Sequence, residues 1–361
     1  MLPRINGKIL WTILENYTPD GAGGRKISFT ADAHSLDYDQ LADIKPNQNL
    51  ALNLQLLNAE IVGLHPEGID SSKFLHLKFR LESNLASRAF GLVRGGWLPA
   101  SLAADRNNAA ILLDRNVVTE IVGRFNNGLK VRGDLDFLDL FEKQDVPINP
   151  VLYALEGNMR KTPDVYHVKD QLNEVIGKLQ KALPDAKLLI GPESLQGIVS
   201  MIAETSVRMA GQQDFLMELA PKISAPIAAI DRDKRFDEIL EAADKFNLDR
   251  SSLVVLAALS VAMIPNGKCA ANGILKLRAN YDAARAYNAL CDIRSLEMLI
   301  QGLCTFPNVD LQLCTQDRDL ALFWCSLQIP DFDDNDGYYH IKPHPALLPA
   351  QYAERWLAAI S

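Results

Sequence analysis

Ala110-Ile111-Leu112-Leu113-Asp114-Arg115-Asn116 and, about two hundred residues later, Val309-Asp310-Leu311-Gln312-Leu313-Cys314-Thr315-Gln316-Asp317-Arg318-Asp319 decide how this chain folds. Each begins as a short apolar, β-prone run, ends on a carboxylate and passes into a helical pattern. That is the layout of parallel strands whose carboxyl ends open into one crevice, the usual ligand position in an α/β sheet. Two acids meeting there repel one another unless a proton or a cation intervenes, so the pattern points to a metal site or an acid/base site.

The surrounding sequence sets the frame. A chain of 361 residues exceeds the usual size of one core, so two domains are expected. The net charge of -8 gives no global attraction to nucleic acid, which would need a local basic surface or bridging cations. Cys269, Cys291, Cys304, Cys314 and Cys325 are scattered, with no Cys-x-x-Cys pair, and read as reduced thiols. The start, from Met1 to Gly7, lacks the apolar core of a signal peptide, and Leu253 to Ile264 is too short to span a bilayer. The reading is a cytoplasmic protein without a membrane segment.

Residues 1–104 read as a small β-rich unit. A hairpin is expected from Lys8–Tyr17, the turn at Gly21 to Gly24 and Arg25–Thr30. From Phe74 to Leu81 the apolar residues alternate with His76, Lys78 and Arg80, and Arg88 to Trp97 reads as one further strand. From 105 to 330 the pattern is α/β, with helices expected at Leu172 to Leu183, Leu195 to Ile202, Phe236 to Phe246 and Ser251 to Ile264, the last capped by Ser251 or Ser252. The stretch 184–266 reads as a helical insertion, and 331–361 as a loop followed by a helix from Gln351 to Ile360. The acidic run Asp331 to Gly337 departs from a calcium loop in the place of its glycine and in Lys342, and reads as solvated.

Four acids stand out in the α/β part: Asp114 at a strand end, Glu156 in a helix opened by Pro150, Asp292 in a second helix, and Asp317 after the last strand. Asp282 and Glu297 compete with Asp292, and Glu193 and Glu204 with Glu156. The order strand-Asp, helix-Glu, helix-Asp, strand-Thr-x-Asp resembles the PIN-domain nuclease family. Leu113-Asp114-Arg115-Asn116 is similar to that family's Leu-Asp-Thr-Asn signature with arginine in place of threonine, and Thr315 to Asp319 is similar to its closing Thr-x-Asp-x-Asp.

The resemblance covers roughly Ala109 to Trp324. It implies a PIN-like three-layer α/β domain with a central parallel sheet, in which Asp114, Glu156, Asp292 and Asp317 hold Mg²⁺ or Mn²⁺ and drive phosphodiester hydrolysis. Hard divalent ions prefer carboxylate oxygen, which suits a cluster without histidine or cysteine. Asn116, Thr315 and Asp319 would orient the ligands, and Arg115, Arg278, Arg285 and Arg294 would contact a nucleic-acid substrate, RNA ahead of DNA. The N-terminal unit would select substrate, a protein partner or a second copy of the chain. The competing reading is a noncatalytic PIN-like module that binds RNA or protein. A haloacid-dehalogenase-type phosphatase lacks its context around Asp134-Leu135-Asp136-Phe137, and no Gly-x-Ser-x-Gly elbow occurs.

Overall fold

The computed structural model describes residues 4–5, 8–15, 24–45, 48, 50–65, 77–157, 161–190, 194–264, 269–329 and 339–361. Near the N-terminus, β1 (Trp11–Glu15), β2 (Arg25–Ala33), β3 (Ala51–His65) and β4 (Leu77–Glu82) form an antiparallel sheet in that order. Leu52, Leu54 and Leu56 are buried while Ala51 and Asn53 are exposed, the period-two signature of a sheet with one face on the core. On β4, Leu77 and Leu81 are half-buried and Lys78 and Arg80 exposed, which matches the alternation. Residues 16–23, 66–76 and 330–338, with the glycines Gly21 to Gly23 and the acidic run Asp331 to Gly337, lie outside the described residues.

The central sheet has six strands: β5 (Phe90–Val93), β6 (Gly96–Pro99), β7 (Ala109–Leu113), β8 (Pro147–Asn149), β9 (Lys187–Leu188) and β10 (Asp310–Thr315). Their spatial order is β9-β8-β7-β10-β5-β6. The strands β9, β8, β7 and β10 run parallel, and β5 and β6 are antiparallel additions at the β10 edge. The sheet is therefore mixed. All five residues of β7 are buried, as expected of a strand covered on both faces.

Two sequence readings need correction here. The stretch Arg88 to Trp97 is a hairpin turned at Arg94–Gly95 instead of one strand, and it belongs to the central sheet, so a boundary at 104 does not follow the topology. The turn is tight against the N-terminal unit: a Cβ on Gly96 would stand 2.0 Å from the Leu36 carbonyl oxygen. Trp97 and Leu36 exchange both backbone hydrogen bonds, and one continuous apolar core runs from Ile27 and Leu54 through Trp97 to Leu313 and Phe323.

Ten helices complete the part of the fold used below. They are α1 (Arg115–Arg124), α2 (Val151–Glu156), α3 (Val165–Ala182), α4 (Ser194–Ile223), α5 (Arg232–Lys245), α6 (Leu253–Met263), α7 (Ala270–Leu275), α8 (Ala283–Thr305), α9 (Arg318–Leu327) and α10 (Ala350–Ile360). Helix α6 is apolar all round except Ser260 and every residue is buried, so it forms the centre of the helical layer. Ser252 precedes it, but its hydroxyl makes no capping bond and neither Ser251 nor Ser252 acts as the expected side-chain cap. Helix α3 buries Val168, Leu172, Val175 and Leu179 at helical spacing.

Candidate metal centre

The register of the two central parallel strands builds the first half of the site. Leu113 pairs with Cys314, and the Asp114 amide donates to the Cys314 carbonyl at 3.0 Å, so Asp114 and Thr315 leave the sheet side by side. The buried Thr315 hydroxyl donates to Asp114 Oδ2 at 2.7 Å and accepts from the Asp317 amide at 3.0 Å. One hydroxyl thus joins both acidic loops. Asp317 also caps α9, its Oδ1 accepting from the amides of Asp319 at 2.8 Å and Leu320 at 3.1 Å. Capping and a place in the site are compatible for this residue, since the bonds engage one oxygen.

The second half comes from the helices. Glu156 is the last residue of α2, followed by Gly157 with φ +63°. The Arg115 guanidinium stacks 4.2 Å from the Tyr153 ring centroid and donates to the Gly157 carbonyl at 3.1 Å, which pins that turn. From the other side, the Tyr287 hydroxyl of α8 donates to the Glu156 carbonyl at 3.2 Å. One turn further along α8 stands Asp292. Asp114, Glu156 and Asp292 line a common cavity of about 20 Å³ walled by Leu152, Leu155, Cys291, Ser295 and Met298. That volume takes one water-sized particle.

The acids feel one another. Burial raises the proton affinity of Asp114, opposed by the Thr315 hydroxyl and the Arg115 amide and assisted by the charge of Asp317. Burial and then Asp114 push Glu156 up to about 7. Asp292 is raised well above the carboxylate range by burial, then by Asp114 and Asp317, with Lys276 opposing and Glu156 adding to the rise. Asp319 is raised by burial and Asp317. Asp114, Glu156 and Asp292, half-buried and each raised in part by a neighbouring acid, form an electronegative pocket.

The competing acids are elsewhere. Asp282 caps α8 by accepting from the Arg285 amide, Glu297 pairs with Arg208 at 3.0 Å, and Glu204 is exposed on α4. Glu193 lies outside the described residues. Among the described residues no three acidic, histidine or cysteine side chains already stand as a ligand set for one ion. Asp114, Glu156 and Asp292 nevertheless offer carboxylate oxygens that suit a hard divalent ion, and they share the cavity wall with the Cys291 thiol, the Ser295 hydroxyl and the Arg294 guanidinium.

The other predicted residues divide. Arg278 and Arg285 are exposed and line an outer cleft of about 350 Å³ with Lys276, Asn288 and Asp292. Arg115 clamps the Glu156 turn through one guanidinium nitrogen. Arg294 is not a groove residue. It is 6 % exposed, donates to Met209 Sδ at 3.6 Å, and lies on the wall of the inner cavity. The Asn116 side chain is exposed, and the contribution of that residue at Asp114 is its backbone amide. Asp319 lies over α7, where a Cβ on Gly273 would stand 1.8 Å from its Oδ2. Sequence reasoning missed Tyr153, whose ring holds the Arg115 guanidinium against the Glu156 turn; Lys276 and Tyr287 stood out in the sequence only as members of the basic, tyrosine-containing segment from Lys268 to Arg294.

The chain matches no family model, no curated protein and no solved structure. No described helix is long and apolar enough to cross a membrane.

Proposed function

We propose that this protein is a metal-dependent nuclease of PIN type that hydrolyses phosphodiester bonds, with RNA the expected substrate. The observation that carries the reading is the convergence of Asp114, Glu156, Asp292 and Asp317 from a strand end, two helices and a neighbouring parallel strand end, in the chain order of that family. Hydrolysis of a phosphodiester needs neutralised charge on the nonbridging oxygens and an activated water, and Mg²⁺ or Mn²⁺ bound by these carboxylates supplies both.

The chain's own residues do the rest. Asp114, held by Thr315 against β10, would be the central ligand, since its charge acts on Glu156 and Asp292 and it feels that of Asp317. Oδ1 of Asp317 fixes α9, which leaves Oδ2 as the oxygen that would serve a metal. Glu156 and Asp292 close the cavity from the helical side, and the apolar walls at Leu152, Leu155 and Met298 limit solvent, which strengthens the field there. Arg278 and Arg285 stand outside at the mouth, where backbone phosphates would be met.

The test is cleavage of end-labelled RNA and DNA oligonucleotides with Mn²⁺, with Mg²⁺ and with chelator. Metal-dependent internal cleavage that disappears in Asp114→Asn, with RNA binding retained, supports the proposal. Binding without cleavage in the unmodified protein, indifferent to metal and to Asp114→Asn, would replace it with the noncatalytic binding module.

A further inference from the structure

Asp292 is a wall common to two spaces. It lines the inner cavity with Asp114 and Glu156, and it lines the outer cleft with Lys276, Arg278, Arg285 and Asn288. The junction between acidic and basic surfaces is therefore one residue thick. Of the three cations in the outer cleft, Arg285 is already engaged with the Asn280 carbonyl and, at 3.7 Å, with Asp282. Lys276 is exposed and no described carboxylate lies within salt-bridge distance of its amine.

The backbone at Lys276 is specialised. It ends α7 in the left-handed conformation, φ 48° and ψ 41°, with its amide donating to the Asn272 carbonyl at 2.9 Å. Glycine is the residue that fits this position without strain, whereas a side chain there crowds its own backbone. The segment is also fixed in place: the buried Tyr281 hydroxyl donates to the Leu275 carbonyl at 2.7 Å, and Gly273 gives the Asp319 carboxylate room to lie on α7. A long cation is thus carried on a braced, strained turn facing the acids. Its field reaches both Asp292 and Asp319, each of which it holds down against burial.

We infer that Lys276 is a substrate-binding residue of the proposed reaction, gripping the backbone phosphate of the nucleic acid beside Asp292 at the mouth of the carboxylate site. This rests on the nuclease reading of that site. The bland role for the same residue is to complement the carbonyl end of α7, which a glycine would serve as well or better.

Lys276→Gly separates the two, because it preserves the left-handed turn while removing the amine, and Lys276→Arg restores the charge. Three readouts are compared with the unmodified protein: binding of a fluorescein-labelled single-stranded RNA by anisotropy in Ca²⁺ over a range of salt, Mn²⁺ binding by calorimetry, and cleavage kinetics in Mn²⁺. The inference expects Lys276→Gly to bind the RNA about tenfold more weakly, with a salt slope smaller by about 0.7, the contribution of one phosphate contact in a single strand. It expects KM to rise more than kcat falls, Mn²⁺ to bind at least as tightly because a competing cation has gone, and Lys276→Arg to recover most of the RNA affinity.

Unchanged RNA affinity and salt slope in Lys276→Gly, with the unmodified protein cutting RNA, overturn this inference and leave the nuclease reading intact. Loss of Mn²⁺ binding in Lys276→Gly, unrelieved in Lys276→Arg, overturns it as well, since the lysine would then only shape the acid site. An unmodified protein that binds neither Mn²⁺ nor the RNA overturns both.

Discussion

Glu156→Gln should make the metal-free protein more stable at pH 8 and leave it unchanged at pH 4.5. The carboxyl of Glu156 is lifted from 4.5 to about 7 in the folded protein, chiefly by burial and then by the charge of Asp114. Below 4.5 it is protonated in both folded and unfolded chains and costs nothing. Between 4.5 and about 7 the folded state holds the extra proton, so stability falls as pH rises; above 7 the full penalty is present. The interval corresponds to about 3 kcal/mol, and movement of the carboxylate toward solvent brings the expected gain of the isosteric amide to about 2 kcal/mol. Urea unfolding in chelator from pH 4.5 to 8.5 measures it. Added Mn²⁺ should reverse the order, because the unmodified protein gains more from a ligand it binds more tightly. A Glu156→Gln protein that is less stable at pH 8, or whose difference does not change with pH, would refute the picture of a carboxylate held against its neighbours.

Three further outcomes follow from the same geometry. Thr315→Val leaves an Asp114 oxygen and the Asp317 amide without their shared hydroxyl, which should cost about 1–3 kcal/mol by thermal unfolding and weaken Mn²⁺ binding by about tenfold or more in calorimetry. Gly273→Ala forces the Asp319 carboxylate off α7 and should destabilise by about 1–3 kcal/mol, most of which disappears in an Asp319→Ala background; equal costs in both backgrounds would show that the clash is elsewhere. Arg115→Ala removes the stacking on Tyr153 and the bond to the Gly157 carbonyl, a loss of about 1–2 kcal/mol that Arg115→Lys should not repair, since an ammonium cannot stack and donate as a planar fork does.

The acids at strand ends were legible because chemistry and periodicity coincide there. An apolar run of β-prone residues that stops at a carboxylate fixes both the strand and the place of its terminal side chain, so Asp114, Thr315 and Asp317 meet through pairing of β7 with β10. The amphipathic helices were legible for the same reason, as with the buried stripe of α3. The direction of charged side chains was not. Arg115 and Arg294 have the same composition signal as a phosphate contact, but whether a guanidinium faces a groove, a carbonyl or a sulfur is decided by packing against residues far away, here Gly157 and Met209. The hairpin Phe90–Pro99 was misplaced because its partner β10 lies more than two hundred residues along, and local alternation carries no information on which sheet a strand joins. Lys276 was visible only as one of several basic residues; its left-handed turn and its place beside Asp292 are tertiary facts.

Asp114, Glu156, Asp292 and Asp317 are proposed to act together on one divalent cation. Crystals of the protein soaked in Mn²⁺ and measured at the manganese absorption edge test it directly. An anomalous peak is expected within bonding distance of Asp114 and at least one of the other three carboxylates, and none in crystals of Asp114→Asn. No peak in that pocket at saturating Mn²⁺, or a peak only at a surface carboxylate elsewhere, would contradict it.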